Sequence, residues 1–344
     1  MQNTGRVVLS GIRPTGPLHL GHLFGALENY RRLQDAGHRC FYMIADWHAL
    51  STEYESPGRI RAAVEDVALD FLTAGIDPEK STLFIQSEVP EHAELHLIFS
   101  MNVPIPWLER NPVYKEQLAE IEGRDLRTYG FLGYPVLQAA DILIYKATDV
   151  PIGEDQLPHL ELTREIARRF NHLYAEVFPE PQPLLTQVAR LPGTDGRKMS
   201  KSYGNCIYLG EEPDSVRQKV RSMFTDPKRI YRKDPGHPET CPVFAYARIF
   251  EGDRSPDRAD ACTHARIGCT DCKAEVAELV DTFLTPLRER RAALAEDRVR
   301  LWDILHRGAQ IARDTAARTL SEARAAMGMH YGRQDTTAGT QRPG

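Results

Sequence analysis

No stretch of this chain approaches the roughly 20 consecutive apolar residues that a membrane helix needs. Its opening run, MQNTGRVVLSGIRPTG, holds no apolar segment of the secretory-leader kind. Both absences predict a cytoplasmic protein with no membrane association. Two glycine-rich phosphate loops are missing as well: neither GxxxxGK followed by Ser or Thr, nor GxGxxG, occurs anywhere. A nucleotide would therefore have to be held by another device. Positive charge is not in excess, since 43 Lys and Arg face 48 Asp and Glu for a net charge of −5. A nucleic-acid partner would then meet a local patch on an acidic body. Six cysteines in a reducing compartment are unlike a disulfide framework, yet four of them crowd into residues 241–272.

The apolar pattern alternates strands with helices. Arg6–Ser10 reads as a short buried strand stopped by Gly11 and the Pro14–Pro17 turn, and a helical pattern runs from Leu18 to Gly37. Cys40–Ala45 and Thr82–Gln86 read as further strands, with a helix over 57–75 opened by Ser56-Pro57. Strand, helix, strand, helix, strand at these lengths predicts an α/β fold with a doubly wound parallel sheet. Pro104, Pro106 and Pro112 break residues 90–128 into an insertion of short helices. Leu132–Tyr145, a turn at Val150–Gly153 and a helix over 157–170 return to the core, and Leu184–Gly204 reads as a strand running into a loop. Beyond about residue 205 the strand signals fade. Helices are expected over 213–224, 274–295 and 298–327, the segment from Gly252 to Gly268 reads as loop-rich, and 332–344 as a disordered tail. The implied division is a catalytic domain over 1–204 and a helical domain over 205–331, sharing a continuous core.

Two short motifs carry the chemistry. His19-Leu20-Gly21-His22 sits between the first strand and its helix. Two imidazoles three residues apart at a helix start can face one anion, and Gly21 would let a nucleotide lie close to the backbone. Two ordinary helix histidines would read the same in isolation. Lys198-Met199-Ser200-Lys201-Ser202 lies in a loop of small residues, where two ammonium groups can follow charge onto a departing pyrophosphate. Alone it would pass for solvated surface. Together HLGH and KMSKS resemble the signature pair of class I aminoacyl-tRNA synthetases, whose catalytic part is a Rossmann-like domain.

The resemblance narrows to the tryptophanyl branch. Tyr134 to Leu143 ends in Ala-Ala-Asp-Ile-Leu, similar to that branch's AADIL, and Gly153-Glu154-Asp155-Gln156 resembles its GEDQ segment. The similarity covers roughly residues 6–333. It implies activation of L-tryptophan by ATP with Mg2+ bound to the substrate, then transfer to the 3′ end of tRNA(Trp). It implies His19, His22, Lys198 and Lys201 as catalytic, with Gly21, Lys115, Asp155, Met199 and Ser200 as further ATP contacts. His48, Tyr134, Gln138, Asp141 and Gln156 would surround tryptophan, and a homodimer is implied. A buried carboxylate at Asp141 suits the indole N–H, the one donor on tryptophan's side chain; an N-cap aspartate would look alike. A tyrosyl enzyme, another adenylate-forming nucleotidyltransferase and a non-catalytic relative are the alternatives. The helical domain and the AADIL and GEDQ segments speak against the nucleotidyltransferase, and intact HLGH and KMSKS against the non-catalytic relative.

Cys241, Cys262, Cys269 and Cys272 are spaced C-x20-C-x6-C-x2-C. Four thiols with a single CxxC suit a four-ligand metal centre, and a subset of tryptophanyl-tRNA synthetases carries a [4Fe–4S] cluster on similar spacing. Structural Zn2+ or unligated thiols are the other readings. Between Arg217 and Lys233 lie seven basic residues and one acidic residue, a candidate footprint for tRNA phosphates.

Overall fold

The computed structural model describes residues 5–112, 114–115, 126–185, 191–224 and 226–331. The expected tail at 332–344 and part of the 90–128 insertion lie outside the described residues. Five parallel strands form one sheet: β1 (Val7–Ile12), β2 (Arg39–Ile44), β3 (Ser81–Ile85), β4 (Asp149–Ile152) and β5 (Gln182–Leu185), in the order β3-β2-β1-β4-β5. β2 and β3 are largely buried on both faces because helices cover both. Along β2, Cys40, Tyr42 and Ile44 enter one core, while Phe41 and Met43 enter the other.

β1 and β2 pair over six residues, whereas Val8↔Asp149 is the one registered pair between β1 and β4. The chain winds outward in both directions from this gap. Such a reversal opens a crevice at the carboxyl ends of the strands. β4 corrects the turn expected at Val150–Gly153. Pro151 in a four-residue run argues against a central strand, but β4 is flanked by β1 and β5 and is held by pairing.

The helical run after β1 is Leu20–His22, a π turn over Leu23–Leu27, and Glu28–Asp35. Past residue 205 come Pro213–Ser222, Pro242–Glu251, Ser255–Thr263, Cys269–Glu296 and Arg298–Ala326. Ser255–Thr263 occupies the segment expected to be loop. Its few apolar residues conceal a helix that leans on its neighbours rather than on a stripe of its own. The last helix returns to the sheet: Ala309, Ala312, Ala316, Leu320 and Ala323 join the core beneath Phe41 and Phe84. At Gly308 a Cβ would overlap the Leu83 carbonyl oxygen, so a glycine lets the helix backbone rest on β3. Among the described residues no helix is long and apolar enough to cross a membrane.

Candidate active site

A cavity of about 410 Å3 opens at the carboxyl ends of β1 and β4. One wall comes from the helix Tyr129–Leu143, whose first turn is capped by Thr128 Oγ1 accepting from Phe131 N at 3.1 Å. Tyr134, Gln138 and Asp141 are spaced by four and three residues, which puts all three on one helix face toward the cavity. His48, from Asp46–Glu53, and Gln156, from the turn after β4, complete the expected tryptophan set, and all five line the cavity.

Asp141 is buried and fully committed to partners. It accepts from His48 Nε2 at 2.7 Å, His92 Nδ1 at 2.6 Å and Gln86 Nε2 at 2.8 and 3.0 Å. Burial alone would raise its pKa; the bonds from His48 and His92 outweigh that and hold the carboxyl well below the usual range. Each oxygen accepts twice, Oδ1 from His92 and Gln86 and Oδ2 from His48 and Gln86, so a further donor would have to share or replace a branch of the forked Gln86 bond. His92 Nε2 is also 2.6 Å from Tyr145 Oη, so the carboxylate heads a buried relay. On the opposite side, His159 bridges Asn111 Nδ2 at 3.1 Å and Tyr134 Oη at 3.0 Å. Burial, then the neighbouring His48, lower the His159 pKa to about 4, so its ring is neutral. Gln86 and His92 escaped the motif reading, and His159, three residues past GEDQ, was given no role in it. For Gln86 the available signal was its place at the end of β3, in the row of strand ends where α/β sites form.

The HLGH turn borders the same cavity through His22. The His19 and His22 rings lie 3.8 Å apart, and His19 N donates to His22 Nδ1 at 3.4 Å. Burial, then Lys201, push His19 down to about 4; burial, His19 and the two lysines push His22 well below its ordinary value. Two neutral imidazoles beside two ammonium groups form an anion-seeking pocket edge. Gly21 has a local reason to be glycine, because a Cβ there would stand 2.9 Å from His19 Nδ1 and 3.4 Å from Met199 Cβ.

KMSKS docks directly onto this turn. Gly21 N donates to the Met199 sulfur at 3.3 Å, and Met199 is buried. Lys201 Nζ donates to Gly16 O at 2.6 Å and Thr15 Oγ1 at 3.3 Å. Asn205 shapes the loop, accepting from Ser200 N at 2.8 Å and donating to Lys198 O at 3.1 Å. Lys198 stands exposed, 4.0 Å from Asp155 Oδ2, so Asp155 and the loop face each other across the mouth. Lys115 is exposed and outside the cavity lining.

All six cysteines are free thiols. Cys241 caps the start of the helix Pro242–Glu251, Cys262 lies in the last turn of Ser255–Thr263, and Cys269 and Cys272 lie in the first turn of Cys269–Glu296. Arg229 Nη1 points at Cys262 and Cys269 sulfurs at 3.9 and 3.8 Å, and Arg258 Nη1 at Cys272 Sγ at 3.5 Å. Burial raises the Cys262 and Cys272 pKa values, the latter to about 11, and each feels the charge of Cys241. Among the described residues no group of three or more His, Cys, Asp or Glu is placed to hold a metal ion.

The basic run 217–233 is less available than its composition suggests. Arg217 is paired with Asp214, Glu278 and Asp281, Lys219 with Glu211, and Arg229 is buried against Ile267 O and Arg232 O. The exposed remainder is Arg221, Lys228, Arg232 and Lys233, beside exposed Ile230 and Tyr231.

The family of tRNA synthetases class I (W and Y) matches residues 1–285. The tryptophan–tRNA ligase of Thermotoga maritima is 52% identical over 326 residues, covering 94% of this chain and 99% of its own length. That of Aquifex aeolicus is 42% identical, with 94% and 99% covered. Among solved structures, tryptophanyl-tRNA synthetase from Campylobacter jejuni complexed with ADP and tryptophan superposes with a TM-score of 0.85 at 33% identity, over 94% of this chain and 99% of that one.

Proposed function

Because the chain belongs to the class I tRNA synthetases for tryptophan and tyrosine, we infer that it is a tryptophan–tRNA ligase. It activates L-tryptophan with ATP to tryptophanyl-adenylate and pyrophosphate, then transfers tryptophan to the 3′ end of tRNA(Trp). The observation that carries the choice of amino acid is 52% identity to a tryptophan–tRNA ligase across nearly both whole chains. A cavity lined by a buried carboxylate and neutral imidazoles supports it.

In this reading the indole enters between β1 and β4 and donates its N–H to Asp141 in place of one branch of the forked Gln86 bond, while His48 and His92 hold that carboxylate still. Tyr134 and Gln138 flank the ring, and Gln156 meets the ammonium group. The tryptophan carboxylate attacks the α-phosphorus of magnesium-bound ATP, and pyrophosphate leaves. His19 and His22 donate to the phosphates, Gly21, Met199 and Ser200 present backbone to the nucleotide, and Asp155 faces it across the mouth. Lys198 and Lys201 gather the charge of the leaving pyrophosphate. No protein nucleophile is needed; positioning and charge stabilisation supply the acceleration. Lys115, exposed at the edge of the insertion, reaches for the outer phosphates. The acyl group then passes to a ribose hydroxyl of the tRNA's terminal adenosine. ATP–pyrophosphate exchange measured across the twenty amino acids tests the assignment: exchange driven by tryptophan is expected, and exchange driven by tyrosine instead would overturn it.

The helical part over 205–331 faces the tRNA, with exposed Lys228, Arg232 and Lys233 meeting phosphates. We assign the Cys241, Cys262, Cys269 and Cys272 set to a [4Fe–4S] cluster, with Zn2+ as the competing occupant. The spacing supports this, as do the guanidinium groups of Arg229 and Arg258, which suit four thiolates. Bound there, the cluster would staple three helix ends together. Anaerobically purified protein should hold about four iron and four sulfide per chain, and Cys262→Ser should bleach it. One zinc and no iron would replace the cluster, and neither metal would leave four thiols. A homodimer is supported by exposed Leu50, Leu97, Met101, Ile105 and Tyr129, and by a second cavity of about 370 Å3 lined by Leu50, Tyr54 and His96. The free state of all six thiols accords with a cytoplasmic setting.

A further inference from the structure

Asp70 is a fully buried carboxylate in the helix Gly58–Thr73, far in sequence from every motif above. Its Oδ2 accepts from Leu18 N at 2.6 Å, the amide directly before His19. Its Oδ1 accepts from Arg291 Nε at 2.7 Å, and Arg291 Nη2 donates onward to Asp66 Oδ1 at 2.7 Å. Arg291 also packs over Gly210, where a Cβ would come within 3.0 Å of its Cδ. The segment beside Gly210 grips the same turn from the other side: Leu209 N donates to Leu18 O at 3.0 Å, and Leu20 N to Ile207 O at 2.9 Å.

We infer that Asp70 and Arg291 are positioning residues that set the backbone of the His19–His22 turn, and through it the aim of both imidazoles. The inference rests on the proposal that this turn handles ATP phosphates. Each end of the pair is specific. The carboxylate is shared between one guanidinium and one backbone amide, so losing the arginine leaves a buried charge without its counter-ion beside that amide. The amide bond is one of three that fix Leu18 and Leu20, and moving it shifts His19 relative to Lys201. Arg291 belongs to the same helix, Cys269–Glu296, that begins at the CxxC pair. The helix therefore joins the cysteine-bearing end to the catalytic turn across about 33 Å at 1.5 Å per residue. Other ion pairs between the C-terminal helices and the body, such as Arg307 with Glu79, lie exposed and touch no motif.

Asp70→Asn and Arg291→Met should each lower kcat for tryptophan-dependent pyrophosphate exchange by about 10- to 100-fold, with the tryptophan KM changed less than about twofold. The double variant should be no slower than the worse single one, because both break the same link. Arg291→Lys, able to reach Asp70 but not Asp66 as well, should recover part of the rate. Arg307→Gln should match wild type. Unchanged kcat with only a lower melting temperature would make the pair structural and overturn the inference, as would multiplicative losses in the double variant or failure of both single variants to fold. A wild-type protein without tryptophan-dependent exchange would instead overturn the assigned function.

Discussion

Lys201→Ala should slow adenylate formation by roughly 100- to 1,000-fold, the loss expected when one donor to developing oxyanion charge is removed. Tryptophan affinity should stay within about twofold. The Lys201 ammonium ties the KMSKS loop to the turn before HLGH by donating to Gly16 O and Thr15 Oγ1. Burial pushes its pKa down to about 8, opposed by Asp70, Cys206 and Asp66. It is therefore still mostly charged near neutral pH, but incompletely solvated, and gains most when a phosphate arrives. That gain grows as pyrophosphate leaves, so the loss belongs to the chemical step. Rapid-quench measurement of adenylate, with tryptophan binding followed separately, checks it. A variant that binds tryptophan poorly yet forms adenylate at the normal rate would place Lys201 in the amino-acid pocket instead.

The second large effect belongs to Asp141→Asn. The substitution keeps the shape but replaces one acceptor oxygen with a donating amide facing His48, His92 and Gln86. Hydrogen bonds to a charged acceptor contribute about 1.5–3 kcal/mol each, and a buried donor left unpaired adds to the cost. A fall in tryptophan kcat/KM of about 100-fold or more follows, with a lower melting temperature. The loss of selection separates a substrate contact from a structural one. Wild type should reject the N-methylated indole analogue strongly, since it has no N–H to offer the carboxylate, and Asp141→Asn should discriminate far less. A variant that is merely less stable, with discrimination intact, would make Asp141 an anchor for His48 and His92 alone.

HLGH and KMSKS were legible as a pair: each run alone has an ordinary reading, and only their joint occurrence resembles a known signature. Tyr134, Gln138 and Asp141 were named through the resemblance of their segment to a known family, and their spacing of four and three puts them on one helix face. Strand β1, strand β2, strand β3 and the long C-terminal helices declared themselves through period and caps. Other features left no local trace. β4 looked like a turn because Pro151 weakens the strand signal, and only its neighbours in the sheet make it a strand. The helix Ser255–Thr263 lacked an apolar stripe. The 217–233 run looked like a free basic patch, although Arg217, Lys219 and Arg229 have their partners elsewhere in the chain.

Sequence by itself determined the α/β class through periodicity, and contiguous runs resembling a known family picked out HLGH, KMSKS and the side chains along one wall of the cavity. Tertiary structure alone decided that His48, Gln86 and His92 share Asp141, that His159 stays neutral between Asn111 and Tyr134, and that Asp70 and Arg291 stand behind His19. Charge and hydrogen-bond partners are set by distance in space. Burial removes the water that would otherwise solvate each group alone, so a polar side chain takes its role from whichever residues the fold delivers beside it.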